Sequence, residues 1–464
     1  MIWLSIEKDR ELPLTRQIVD QISSAILSGR LRPGEQLPST RELASTLRIS
    51  RNAIMDAYEQ LVAEGYLVSR SGSGTYVEDG VYLESGHQSK LSSSKDTVNN
   101  ILTSFIDFRS GLPYLELFPY KKWGNLAQEI CGEAESSIWS YGDPQGREEL
   151  RGTLAGYLHR TRGVNCHPGQ ILITSGAVQA LTLVVKLLLN DQRPFIIEEP
   201  SNNDIRSIFC SSGSPLIPIQ VDQFGIKTQL LPVESHPAFV FTTPSHQFPL
   251  GGNLPVKRRV ELIQFARKSS CFIVEDDYDS EYRYEGFPVS SLQGLDPDRV
   301  IYIGSFSKIL SPALRLGYIV VPENLVQPCR EIKRLLDLHS PTLEQLVMAK
   351  FIKEGHLGKH IARMKKLYKS RRDHVVKELN TGFSGSIQIS GDKTGLHLIV
   401  QFPGRIFDDQ LLNACLEAGV RVYPVEEHAL IKGYHQDKIL LGYGHLEMEK
   451  IIEGIRKLAN VLGR

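Results

Sequence analysis

The chain has 464 residues, 41% hydrophobic and 23% charged, values near the average for soluble globular proteins, so neither general disorder nor a membrane protein fits. At roughly 150 residues per domain the length predicts about three structural units. The 53 Lys and Arg residues offset the 53 Asp and Glu residues, so net charge gives no argument for a nucleic-acid or membrane partner, which must be sought locally.

Six cysteines stand at 131, 166, 210, 271, 329 and 415, too far apart for a zinc knuckle or a disulfide framework, and they predict reduced thiols in a cytoplasmic protein. The N-terminus reaches Glu7, Lys8, Asp9 and Arg10 without an apolar core of the signal-peptide kind. Apolar runs such as Leu187 to Leu189 are far below the roughly 20 residues of a spanning helix.

In residues 1–77, Leu14, Ile18, Ile22 and Ile26 recur every four residues on one helical face, and Gly29 supplies the stop. Ser39 precedes Glu42 at capping-box spacing, with Leu43 and Leu47 as the inner face of a short second helix. Ser50 caps a third helix whose inner face is Ile54, Tyr58 and Leu61, leaving Arg51, Asn52 and Met55 outward. Two β-prone runs, Tyr66 to Val68 and Thr75 to Val77, then flank the turn Arg70-Ser71-Gly72-Ser73-Gly74. Three helices and a hairpin in this order make a winged helix-turn-helix.

The segment "LPSTRELASTLRISRNAIMDAYEQLVAEGYLVSRSGSGTYV" resembles the DNA-binding domain of GntR-type regulators. That resemblance implies that Arg41, Ser50, Arg51, Asn52 and the wing around Arg70, Gly72 and Gly74 meet double-stranded DNA. The residue chemistry is compatible: Arg offers a planar fork to phosphate or guanine, Asn pairs with adenine, and a helix N-terminus presents free amides to phosphate. Against this, nine Lys and Arg offset nine Asp and Glu within 1–77, so a protein-interaction module is the alternative for this domain.

Residues 78–104, rich in Ser, Asn, Asp and Gly without sustained apolar periodicity, predict a flexible linker. From 105 to 464, buried-strand runs alternate with helical ones, which predicts an α/β domain with a mostly parallel sheet. "QILITSGAVQALTLVVKLLL" reads as strand, small-residue turn and helix, with the amides of Gly176, Ala177 and Val178 at the helix N-terminus, where a phosphate is favoured. "CFIVEDDYDSEY" ends a buried run on Glu275, Asp276, Asp277 and Tyr278, three adjacent carboxylates that need cations or water. "VIYIGSFSKILSPALRLGYIV" brings Ser305, Ser307, Lys308 and Arg315 to the end of another strand, and in an open α/β sheet such ends line the ligand crevice.

A lysine amine, a carboxylate, a phenol and a phosphate-binding set are what pyridoxal 5′-phosphate requires. "YGDPQGREELR", "TSGAVQAL", "TPSHQFPLGG", "EDDYDSEY" and "SFSKILSPALRLGY" resemble class I aminotransferases of fold type I, which have a large and a small subdomain. The resemblance implies that Lys308 forms the Schiff base, Asp276 pairs with the ring nitrogen, Tyr278 faces the ring oxygen, and Ser305, Ser307 and Arg315 hold the phosphate. It also implies that Tyr141 reaches in from a second subunit. Three positions depart from the aminotransferase pattern: Phe248 stands where Asn precedes the proline, Leu440 where an arginine grips the substrate carboxylate, and Ser201-Asn202 where Gly-Tyr is common.

The two halves together resemble the MocR (GabR-like) regulators. The expectation is a homodimeric, pyridoxal-phosphate-dependent transcription regulator that binds an operator and senses an amine, an amino acid or the cofactor itself, with at most weak transaminase activity. A working aminotransferase with an appended DNA-binding domain, or a scaffold that has lost the cofactor, are the rival expectations.

Overall fold

Four-residue apolar spacing governs the first unit. In the computed structural model, which describes residues 4–7, 12–81, 105–133, 135–189, 193–287, 289–383 and 385–463, the chain divides into Met1–Leu102 and Thr103–Arg464. Helix α1 (Leu14–Leu27) buries Ile18, Ile22 and Ile26 completely, while Leu14 is half-buried. Helix α2 (Thr40–Leu47) begins where Ser39 Oγ accepts from Glu42 N, and α3 (Arg51–Ala63) where Ser50 Oγ accepts from Ala53 N. Ile54, Tyr58 and Leu61 turn inward, and the Tyr58 hydroxyl donates to Pro38 O at 2.9 Å. Strands β1 (Leu67–Arg70) and β2 (Gly74–Val77) pair antiparallel and close the wing. The expected linker lies outside the described residues from 82 onward. Its first residues stay with this unit: Glu78 N donates to Tyr66 O and Val81 packs on the core.

The second unit opens with β3 (Ile106–Asp107), α4 (Tyr120–Glu133) and α5 (Glu148–Arg162). Strands and helices then alternate: β4 (Ile171–Thr174), α6 (Ala177–Leu188), β5 (Phe195–Glu199), α7 (Asn203–Cys210), β6 (Leu216–Asp222), β7 (Gly225–Ile226), β8 (Phe239–Thr242), α8 (Val256–Lys268), β9 (Phe272–Asp277), β10 (Val300–Ser305) and β11 (Gly317–Val320). Among the described residues they form an eight-stranded sheet ordered β4-β11-β10-β9-β8-β5-β6-β7. Strands β6, β5, β8, β9 and β10 are mutually parallel, and β11 runs antiparallel between β10 and β4. The central parallel strands β5, β8, β9 and β10 are buried on both faces, which is why they read as apolar runs, while β6 toward the sheet edge is only half-buried.

Helices α9 (Val326–Asp337), α10 (Thr342–Lys353) and α11 (His356–Phe383) lead to a smaller subdomain containing β12 (Gln388–Ser390), β13 (His397–Gln401), α12 (Asp409–Glu417), β14 (Val420–Arg421), β15 (Tyr423–Pro424), β16 (Lys438–Gly442) and α13 (Met448–Leu462). Its antiparallel sheet has the order β12-β13-β16-β15, while β14 pairs parallel with β3, so the first strand of the unit is stitched into its last subdomain. No helix among the described residues is long and apolar enough to cross a membrane.

Candidate functional site

The C-terminal ends of β4, β9 and β10 open toward one cavity of about 500 Å³, as the strand ends of an open α/β sheet should. Alternation along β9 resolves the three adjacent carboxylates, because neighbouring residues on a strand point to opposite faces. Asp277 turns away from the cavity to pair with Arg162 at 2.6 Å. Glu275, on that same side, accepts the amides of Leu292 and Gln293 at 3.0 Å each. Asp276 faces the cavity, and among the described residues no hydrogen-bond donor meets its carboxylate. Burial, reinforced by Asp277, pushes its carboxyl up to about 7. A buried carboxylate aimed at open space suits a cationic ring N–H.

Lys308 enters the cavity from the turn after β10, and its Nζ donates to Gly111 O at 2.8 Å. Gly111 has φ +74°, which favours glycine, and a Cβ there would push the flexible end of Lys308 off the Gly111 carbonyl. Burial lowers the Lys308 pKa, against the pull of Asp279 and Asp276. Ser305, Ser307, Arg315, Ala177 and Val178 line the same cavity. Gly176 is the N-cap of α6 at φ 120°, and a Cβ on it would lie 3.3 Å from an Arg315 guanidinium nitrogen. Among the described residues the side chains of Ser305, Ser307 and Arg315 have no hydrogen-bond partner, so two hydroxyls, a guanidinium and a helix N-terminus converge with their donors free. That donor set fits a phosphate dianion, and with Lys308 and Asp276 the residues fit pyridoxal phosphate.

Tyr278 donates to His246 O at 2.8 Å, and His246 Nδ1 sits 3.0 Å from both Asp279 oxygens. His397 stacks on His246 with ring centroids 4.7 Å apart. The donor atoms of His246, Asp279 and His397 lie within 4.8 Å of one another, but His246 Nδ1 is taken by Asp279, and His397 Nε2 faces the Pro249 carbonyl at 3.1 Å. Phe248 fills the cavity wall, its ring edge-on to Tyr278 and His428. Leu440 and Ser201 line it too. A loop of the smaller subdomain closes the other side: Glu199 accepts the amides of Leu430 and Ile431, and His428 O accepts from Ser201 N and Arg206.

Sequence reasoning singled out Lys308, Asp276, Tyr278, Ser305, Ser307, Arg315, Ala177 and Val178, and the structure brings them all to this cavity. Tyr141 stands apart, 82% exposed and edge-on to His339. His246 lies within TPSHQFPLGG and Asp279 within EDDYDSEY. Gly111, Asp279, His397 and Glu198, a buried carboxylate that accepts from Thr242, Thr243 and Gln247, were missed. Gly111-Leu112-Pro113 marks a turn, but nothing in it points to Lys308.

In the first unit Arg41, Ser50, Arg51, Asn52, Arg70, Gly72 and Gly74 are all exposed. Arg51 Nε lies 3.5 Å from Thr40 Oγ1, linking the starts of α2 and α3. Arg70 covers the Tyr76 ring at 4.9 Å. Gly72 has open space around it at φ +75°, whereas a Cβ on Gly74 would lie 2.6 Å from the Gln36 side chain, so Gly74 answers to packing of the wing against the segment ahead of α2.

Residues 14–77 match the family described as bacterial regulatory proteins, gntR family, and residues 103–435 match aminotransferase class I and II. The chain is 35% identical to the uncharacterized HTH-type transcriptional regulator YhdI of Bacillus subtilis, over 98% of this chain and 96% of that protein. It is 32% identical to the probable rhizopine catabolism regulatory protein MocR of Rhizobium meliloti, over 98% and 95%. Among solved structures, the α-aminoadipate aminotransferase LysN of Thermus thermophilus, complexed with N-(5′-phosphopyridoxyl)-L-leucine, matches with a TM-score of 0.71 at 28% identity, covering 80% of this chain and 95% of that one.

Proposed function

Because the chain belongs to the MocR-type regulators, in which a gntR-family winged helix and a class I aminotransferase domain share one polypeptide, we propose that it is a pyridoxal-phosphate-dependent transcription regulator that binds double-stranded DNA and senses a small amine, an amino acid or the cofactor itself at Lys308. The observation that carries this reading is the convergence of Lys308, Asp276 and the free donors of Ser305, Ser307 and Arg315 on one cavity, in a chain whose other unit is a winged helix. When bound, the cofactor supplies an aldehyde that exchanges amines reversibly and a ring that withdraws electrons.

The protein's own groups divide the remaining work. Lys308, its pKa lowered by burial, presents a neutral amine more readily than an exposed lysine. Asp276 would hold a proton at the ring nitrogen, Tyr278 would turn its hydroxyl from the His246 carbonyl to the ring oxygen, and the α6 N-terminus with Ser305, Ser307 and Arg315 would grip phosphate. Phe248 and Leu440 offer no polar contact to a substrate, so these two positions add nothing to its orientation for turnover, which favours sensing.

A second copy of the chain is part of this reading. Tyr141, Trp139, Val178, Leu335, Leu336 and Leu338 are exposed apolar residues. They are drawn together by the Tyr141–His339 contact and by Gln179 Nε2 bonding Asp337, and Val178 also lines the cavity. A homodimer covers such a patch and brings Tyr141 to the partner's cofactor.

The test is borohydride reduction of the holoprotein followed by peptide mapping, then titration with D-, L- and ω-amino acids while absorbance and keto-acid release are followed. The expected result is a label on Lys308, lost in Lys308→Ala, and a spectral shift with negligible release. Labelling of another lysine, or turnover at roughly 1 per second or faster, overturns the reading.

A further inference from the structure

The cavity's charge inventory identifies what its effector carries. Among the described lining residues the Lys and Arg side chains are Lys308, Arg315 and Arg109. Lys308 holds the reactive position and Arg315 belongs to the phosphate set beside Gly176. His397 and His428 also line the cavity, but burial lowers both pKa values, so they offer neutral imidazole. Arg109 is the cation left without an assignment.

Its guanidinium is poorly used within the chain. Nε lies 3.4 Å from the Tyr423 hydroxyl, a long hydrogen bond, and 3.9 Å from the nearer Asp107 oxygen, beyond hydrogen-bond distance. Asp107 is already engaged, accepting from Tyr423 Oη at 2.8 Å and from Arg109 N at 3.0 Å. Among the described residues the two terminal nitrogens of Arg109 have no acceptor, and the side chain is 53% exposed. The location is specific. Tyr423 is the cross-strand partner of Leu440, so the two side chains stand next to each other on one sheet face and both line the cavity. Arg109 therefore brings positive charge to a wall that is otherwise apolar at Leu440 and Phe248. Two residues further on, Gly111 O holds the Lys308 amine, so the cation and the amine-reactive group are fixed by one short stretch of backbone.

We propose that Arg109 is the carboxylate-binding residue of this cavity, and that the effector is an amino acid rather than a simple amine. The free fork of a guanidinium matches two carboxylate oxygens, and its weak tether to Asp107 and Tyr423 is readily exchanged for that ligand. Asp204, also on the cavity wall, is the competing feature, since a carboxylate there would favour a diamine.

The proposal rests on the Lys308 reading, and its test separates the two. Full-length holoprotein is titrated, through the cofactor's visible band, with amino acids, alkylamines and diamines of matched chain length. The wild type should prefer the amino acid by about 10- to 100-fold, the worth of a charge-assisted pair. Arg109→Gln should abolish that preference by weakening the amino acid alone, and Arg109→Lys should restore part of it. An alkylamine or diamine that binds the wild type as tightly as the amino acid, or a preference that survives Arg109→Gln, overturns the proposal. A wild-type protein with no visible band overturns the Lys308 reading, and this proposal with it. A band with no preference overturns this proposal alone.

Discussion

Asp276 is the residue at which electrostatics makes a signed prediction. Burial raises its carboxyl from an ordinary value near 3.8 to about 7, so between those pH values the folded, cofactor-free protein holds a proton that the unfolded chain has released. Its ionisation therefore destabilises the cofactor-free fold as pH rises through that window, and the penalty is complete above it. Asp276→Asn should make the cofactor-free protein more stable at about pH 8, by on the order of a few kcal/mol, with the gain vanishing toward pH 4. The same variant should bind pyridoxal phosphate more weakly, by about 1.5–3 kcal/mol, because the charged partner of the ring nitrogen is gone. Thermal melts at two pH values and a cofactor titration check the two halves. Gly111→Ala should weaken cofactor binding and lower the visible band, since alanine is strained at its positive φ and its Cβ would displace the flexible end of Lys308. Of these two positions the sequence exposed only one: Asp276 sits in a run of acids that draws the eye, whereas Gly111 acts on a lysine 197 residues away, a contact no local pattern encodes.

At the scale of elements, what could be read was whatever depends on neighbours in sequence. The buried faces of α1 and α3 follow from apolar spacing, the starts of α2 and α3 from Ser39 and Ser50, and the outward side of α3 from the residues left over. The roles of Glu275, Asp276 and Asp277 needed the strand to be seen, since period-two alternation sends the middle carboxylate alone into the cavity. The pairing of β3 with β14, and the placing of Arg109 beside Tyr423, depend on contacts between distant segments and were not legible. Arg51→Ala should weaken operator binding by about 1–3 kcal/mol if its fork reads a base edge, and gel shifts at two salt concentrations measure this against the counterion term. Ser50→Ala removes the cap of α3 and should destabilise the first unit by about 1 kcal/mol, visible in its thermal or denaturant unfolding.

For the whole molecule, the exposed apolar group around Tyr141 and Leu335 predicts a dimer at micromolar concentration. Leu335→Glu, which places a charge at a residue 76% exposed in the single chain, should yield monomers in sedimentation while leaving the fold intact. A dimer also presents two wings, and repeated half-sites are the operator geometry that suits a twofold protein. The stitching of β3 into the smaller subdomain has a mechanical meaning. From Ile106 to Gly111 the backbone can reach at most about 18 Å, and along that stretch lie the β14 ladder, the guanidinium of Arg109 and the carbonyl that holds the lysine. Upstream, the same polypeptide leads to the winged helix. A ligand that shifts Arg109 or releases Gly111 thus acts on the same few residues that pair with β14, so an event in the cavity is felt first where the smaller subdomain is fastened.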